Sequence, residues 1–283
     1  MIPIIDTHLH LLYQEVFSYD WCEGHPVLDH DFTIETYQRL IEGLGVAGSI
    51  FMEVDARTCQ IPREAAFFTN LVKQSDNPLL GVVAACRPES DDFQQVLEAT
   101  LSPAVRGLRR VLHTMPDALS QSTHFRENVR SLAARKLSFD VCVLQRQLPI
   151  AYELIKACPD NQFILDHCGV PTLTEEDFPQ WQAELQKMAQ LPNVQAKISG
   201  IIAYCATPEL ATLETLHPWI ESTVEAFGTD RIVLGSDWPV CNLTQNLPHW
   251  INMLRSYFSD YSEAEQHAIF HHNATNTYNI PNL

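Results

Sequence analysis

The chain has 283 residues, 46% of them apolar and 19% charged, the proportions of an ordinary globular protein. Its 18 basic and 35 acidic residues give a net charge of −17, which argues against binding to a nucleic-acid backbone or to an anionic membrane. No window approaches the ~18 unbroken apolar residues of a membrane span, and the opening MIPIIDTHLH lacks the basic start and long apolar run of a signal peptide. A soluble cytoplasmic protein is therefore expected. The eight cysteines stand singly, several in apolar runs such as FDVCV and ILDHC, and read as free buried thiols of a reducing compartment.

In chain order, short runs rich in Val, Ile and Leu alternate with longer amphipathic ones. Strands are expected at 3–11, 46–54, 79–85, 105–112, 137–143, 162–168, 194–200 and 231–238. Helices are read between them, for example at 34–45, 92–101, 125–136, 179–190 and 217–228. The first and last of these end in Gly, a common helix stop. Ser262 and Glu265 have the spacing of a capping box that opens a last helix. Eight strands, each followed by a helix, in a chain of this length fit a single-domain α/β fold, the (β/α)8 TIM barrel. No Gly-rich turn follows the first strand, as a doubly wound dinucleotide-binding sheet would usually show. Two connections, 12–33 and 201–215, exceed what a link between elements needs. Both follow strands and so belong to the C-terminal face, where barrel active sites lie.

Polar residues gather at the strand ends on that face: His8, His10, Glu53, Arg109, Arg110, Asp140, Asp166, His167, Lys197, Ser199, Ser236 and Asp237. Burying one such group unpaired costs about 1–3 kcal/mol, so several at the same end of successive strands point to a site. Simple alternation puts Asp6, His8 and His10 on one face of the first strand. Two imidazoles there suit either a metal or the polarisation of a carbonyl. The other histidines read as structural, except that His113, after the fourth strand, is near enough in sequence to approach the site. Asp140 and Lys197 read as supporting groups or a structural ion pair, and Glu53 as a strand-end polar residue.

The set IIDTHLHL, ILDHCG and RIVLGSDWPV, in that order and each on an expected strand, resembles the amidohydrolase superfamily. With YDW, VRGLRRVL, KLSFDVCV, AKISG and IFHHNATNTY, it is most similar to the lactonase branch, that of L-fuconolactonase, L-rhamnonolactonase and 2-pyrone-4,6-dicarboxylate lactonase. The resemblance covers essentially the whole chain and implies a (β/α)8 hydrolase of cyclic esters. It implies that His8 and His10 form the HxH pair, His167 is the later strand histidine and Asp237 the strand-eight aspartate. Arg109 matches the arginine that reaches the substrate, although alternation alone leaves Arg109 and Arg110 both open. GLRRVL lacks the bridging Lys or Glu of two-metal members, so the cofactor is either none or one divalent ion, zinc, on His8, His10, His167 and Asp237.

Lactone hydrolysis needs a base for water and stabilisation of the carbonyl oxygen. Asp237 is the expected base, and the three histidines, or a metal they hold, the polarising groups. Tyr19 and Trp21 on the first long loop are expected to cover a sugar face, and Arg109 to hold a substrate hydroxyl or carboxylate. The expected partner is a small-molecule lactone, most simply a neutral sugar lactone, with the chain a monomer or homodimer. Two rival readings are a zinc-dependent decarboxylase using the same residues and a barrel that only binds a metabolite.

Overall fold

The computed structural model describes residues 1–280. Eight parallel strands follow one another in sequence order: β1 Ile4–Leu9, β2 Val46–Met52, β3 Leu79–Ala85, β4 Val105–Val111, β5 Ser138–Cys142, β6 Gln162–Leu165, β7 Val194–Ile198 and β8 Ile232–Leu234. The circle closes just beyond β8, where Asp237 N–H donates to His8 O at 2.8 Å and His10 N–H to Trp238 O at 2.8 Å. Ile5, Ile50, Met52, Val83, Ile164 and Val233 fill the barrel interior, and a larger apolar layer packs between the strands and the outer helices. This is the (β/α)8 barrel that the alternation of elements implied.

The outer helices are α1 Ile34–Ile41, α2 Ile61–Val72, α3 Phe93–Thr100, α4 Thr123–Ser131, α5 Leu148–Ala157, α6 Phe178–Ala189, α7 Leu213–Phe227 and α8 Leu247–Tyr257. Short helices α9 Glu263–His267 and α10 Asn273–Thr277 follow, joined by one wider turn over Ala268–His272. The capping box at Ser262 and Glu265 is present. Helix α1 stops at Ile41, four residues before the expected end, because Gly43 and Gly45 both take positive φ. Helix α4 begins at Thr123, capped by Ser122, and gives way to a single tight turn at Ala133–Arg135. Helix α7 starts at Leu213, capped by Thr212, so it takes in the end of the segment read as the second long loop. No helix among the described residues is long and apolar enough to cross a membrane. All eight cysteines are free, and all but Cys59 are buried.

The last strands are shorter than their apolar runs suggest. β6 ends at Leu165 and β8 at Leu234, and the residues that follow leave the extended conformation: His167, Cys168 and Asp237 all have φ between 53° and 55°. Non-glycine residues cost energy there and stay only where the surroundings hold them. Two indoles do the holding. Trp181 of α6 donates to Cys168 O at 2.9 Å, and Trp250 of α8 donates to Gly235 O at 2.9 Å.

Strand β1 also departs from simple alternation. Ile5 faces the interior and Leu9 the helical layer, but the pairing with β2 slips between Asp6 and Leu9. One extra residue in such a bulge reverses the alternation. His8 and His10 therefore share the inner face without Asp6, contrary to the expectation above. The Asp6 carboxylate instead accepts from Tyr37 Oη of α1 at 2.7 Å, Ser236 N at 2.7 Å and His8 N at 3.1 Å, tying β1 to the turn after β8.

Candidate active site

The bulge and the two left-handed turns aim His8, His10, His167 and Asp237 at one point on the C-terminal face. The Nε2 atoms of His8 and His10 lie 3.2 Å apart. Asp237 Oδ1 is 3.6 Å from the first and 3.3 Å from the second, and Asp237 Oδ2 is 4.0 Å from His167 Nδ1. Second partners orient each ring. His10 Nδ1 sits 3.0 Å from Met52 O, which can only accept, so Nδ1 carries the proton and Nε2 presents a lone pair to the cluster. His167 Nδ1 pairs with Ser199 Oγ at 2.9 Å.

Two glycines make the cluster sterically possible. A Cβ on Gly235 would stand 2.5 Å from His8 Cβ, and one on Gly200 (φ +64°) would collide with His167 Nδ1 and Asp237 Oδ2. Burial favours the neutral form of His8 and His167 and lowers both below the ordinary histidine range. Burial also opposes the charge on Asp237, but the surrounding histidines, His167 foremost, outweigh it and hold this carboxyl at about 2.

Beneath and beside the cluster runs a buried ionic network. Arg109 donates through Nε to Glu53 Oε1 at 2.6 Å and through Nη2 to Glu53 O at 3.0 Å, which brings Nη1 to 3.2 Å from His8 Nε2. Lys197 Nζ lies 2.5 Å from Asp140 Oδ2, 3.0 Å from Asp166 Oδ1 and 3.3 Å from His8 Nδ1. Two carboxylates thus share one ammonium. Burial raises Asp140 to about 6, whereas at Asp166 burial is outweighed by Lys197 and His8, which drive it well below the usual carboxylate range.

A cavity of about 380 Å³ opens above this layer. His10, Arg109, His167 and Asp237 form part of its floor, and Trp21, Asp55, His113, Thr114 and Tyr204 belong to its walls. Trp21 Nε1 donates to Val54 O at 2.8 Å, which fixes the indole at the rim. The structure departs from the expectation for Tyr19. Its ring is buried beside Phe17 under the loop, its hydroxyl accepts from Tyr13 N, and it does not line the cavity, because the loop turns its apolar side chains down onto α2. Arg109 is the arginine of β4 that faces the cavity; Arg110 points the other way and pairs with Glu89 at 2.5 Å. Asp55 and Tyr204 on the walls carried no sequence signal, since both sit in irregular connections.

The donor set fits a single divalent ion. Imidazoles about 2.0–2.1 Å from one tetrahedral ion have nitrogens a little over 3 Å apart, close to the 3.2 Å between His8 Nε2 and His10 Nε2, and His8, His167 and Asp237 each offer an atom within 4.8 Å of the others. Charge points the same way. Glu53, Asp140, Asp166 and Asp237 are all buried, and Arg109 and Lys197 leave two of their negative charges uncompensated.

A parallel barrel with histidines and a carboxylate converging at its C-terminal mouth defines an enzyme scaffold built for polarising and hydrating a substrate. Residues 5–280 match the family model described as amidohydrolase, and the chain belongs to that family. It is similar to the L-fucono-1,5-lactonase of Burkholderia multivorans, 26% identical over 98% of this chain and 96% of that one. It is also similar to the L-rhamnono-gamma-lactonase of Scheffersomyces stipitis, 24% identical over 98% of both. A crystal structure of a Burkholderia multivorans amidohydrolase with bound zinc superposes with a TM-score of 0.89, at 26% identity over 99% of this chain and all of that one.

Proposed function

We propose that this protein hydrolyses a neutral sugar lactone to the open-chain hydroxy acid. The observation that carries the reading is the Asp237 carboxylate facing three imidazoles within 3.3–4.0 Å at the floor of a cavity sized for one small ring. The lactonase names of two relatives that match nearly the whole chain support it.

In this reading the lactone carbonyl lies over His10 and Arg109, and a water sits against Asp237. Asp237 accepts a proton as the water oxygen bonds to the carbonyl carbon. The Arg109 Nη1–H stabilises the oxyanion that forms. When the ring C–O bond breaks, Asp237 returns the proton to the departing alkoxide. A carboxyl held at about 2 is a weak base, so the reaction depends on strong polarisation of the carbonyl. His8, His10, His167 and Asp237 are the residues that would hold zinc, which when bound supplies Lewis acidity at the carbonyl oxygen.

The neutral substrate class follows from the arginines. Arg57 pairs with Asp20, Arg87 with Asp55 and Arg110 with Glu89, while Arg106 donates to Asn279 O. Only Arg109 among them reaches the cavity floor, and Glu53 already neutralises it. A dicarboxylate lactone would meet no free cation there among the described residues. The test is a pH-indicator assay with L-fucono-, L-rhamnono- and L-galactono-lactones beside a dicarboxylate lactone, each with and without a chelator. Turnover of a sugar lactone with no turnover of the dicarboxylate is expected. Inactivity on every lactone together with carbon dioxide release from an aromatic acid would replace this reading with a decarboxylase.

A further inference from the structure

Two cavity-wall residues take no part in the chemistry above, yet each is held by a partner behind the wall. Asp55 follows β2 with φ +48°. Its N–H donates to Glu53 Oε2 at 2.7 Å, and its Oδ1 accepts from Arg87 Nη2 at 2.8 Å. These two bonds fix the carboxylate in a conformation that costs energy for any residue but glycine. Its second oxygen, Oδ2, has no hydrogen-bond partner among the described residues and is not sealed from solvent, and the residue lines the cavity. His113 follows β4. Its Nδ1 is 3.0 Å from Cys142 Sγ, the last residue of β5, and both line the same cavity.

A buried thiol keeps its proton, and imidazole nitrogen is a far better acceptor than sulfur. The Cys142 S–H therefore donates to His113 Nδ1. That assigns the ring proton to Nε2, which makes no hydrogen bond to the described residues. The cavity wall thus offers a fixed anionic acceptor and a fixed neutral N–H donor. Neither suits a carboxylate substrate, because a carboxylate has no proton to give Asp55 and His113 carries no charge to attract it. A sugar hydroxyl donates to the first and accepts from the second.

We propose that Asp55 and His113, held by Arg87 and Cys142, are the residues that select a hydroxylated lactone over an unsubstituted one. The inference rests on the lactonase reading above and extends it to specificity. Asp55 and His113 touch the substrate's hydroxyls, and Cys142 is a positioning residue that sets the His113 tautomer.

The experiment measures kcat/KM of the purified full chain for the best sugar 1,5-lactone and for δ-valerolactone, which has the same ring without hydroxyls. The wild type is expected to prefer the sugar lactone by on the order of 100-fold, since a site built to bond hydroxyls discriminates strongly against analogues that lack them. Asp55→Ala and His113→Asn should each reduce this ratio about 10-fold or more. Glutamine places its amide N–H near the position of Nε2, so His113→Gln should keep most of the preference that His113→Asn loses. Cys142→Ala should lower the ratio and Cys142→Ser, whose hydroxyl still donates to Nδ1, should restore it. Because the readout is a ratio, a variant that merely folds less well moves both rates and leaves it constant. A wild-type ratio near one, or a ratio unchanged in Asp55→Ala and His113→Asn, overturns the proposal while the lactonase reading stands. Hydrolysis of neither lactone overturns both.

Discussion

Asp237 combines a left-handed backbone with a carboxyl held at about 2. Replacing it with asparagine keeps the shape and removes the proposed proton acceptor, so kcat should fall on the order of 100- to 10,000-fold with the fold intact. Near-wild-type turnover in Asp237→Asn would assign the base elsewhere. The histidines make a separate prediction about pH. Burial first, with nearby cations, pushes His8 well down, His167 down and His113 to about 4. In the unfolded chain each titrates near 6.5, so on acidification the unfolded state takes up protons that the folded state refuses. Stability is therefore lost as pH falls below about 6.5, by on the order of 1 kcal/mol per pH unit per histidine. The thermal midpoint should drop between pH 7 and pH 5, and His113→Gln should flatten that slope. An equal slope in wild type and variant would show that His113 does not contribute. The residues that converge at this candidate site drew notice in the sequence because histidine, aspartate and arginine at strand ends have no business in a Val/Ile core. The orientation of Asp6 was not, because a one-residue bulge leaves no mark in an alternating pattern, and Tyr19 was misread because loop aromatics look alike whether they face substrate or core.

At the level of elements, the strand-end turns decide where the reactive groups point. Gly200 is the most exacting position, combining φ +64° with direct contact from His167 and Asp237 on the side a Cβ would take. Gly200→Ala should cost activity by about 100-fold or more while leaving most of the barrel folded, since the collision falls on the two groups that must hold their geometry. Unchanged kinetics in this variant would mean the turn relaxes freely. The strands and their order were readable from short apolar runs. Three helices, α2, α5 and α8, were implied by the rhythm without being located. Each has proline at its second position, Pro62, Pro149 and Pro248, as does α6 with Pro179, a residue favoured in the first turn of a helix.

For the molecule as a whole, the interior carries more negative charge than its own cations cancel, in a chain already at −17. Binding of a divalent cation at the histidine cluster would relieve that excess. Micromolar zinc should raise the thermal midpoint by several degrees, as expected when a ligand binds only the folded state, and His10→Ala or Asp237→Asn should abolish the rise. A midpoint indifferent to zinc would mean that Arg109 and the imidazoles satisfy the site unaided. The barrel, its closure and the end that bears the site followed from pattern alone. The pairing of Lys197 with Asp140 was one of the readings the sequence allowed, but Asp166 as a second partner was not, because the three come from β7, β5 and the turn after β6 and sequence separation hides which of them meet.

Residues 273–280 follow all eight strands in the chain yet form the barrel's floor. Asn273 donates to Thr229 O and Ile232 O, Ala274, Tyr278 and Ile280 pack on Ile5 and Val233, and Tyr278 Oη donates to Asp140 Oδ2 at 3.0 Å. On the ribosome, a nascent chain that has already released every strand still has an open base, and an acidic residue of the ionic network still lacks its phenol. Synthesis of this protein thus ends its folding problem late: the electrostatic support of the catalytic face is completed from the opposite side, by a segment translated after everything it supports.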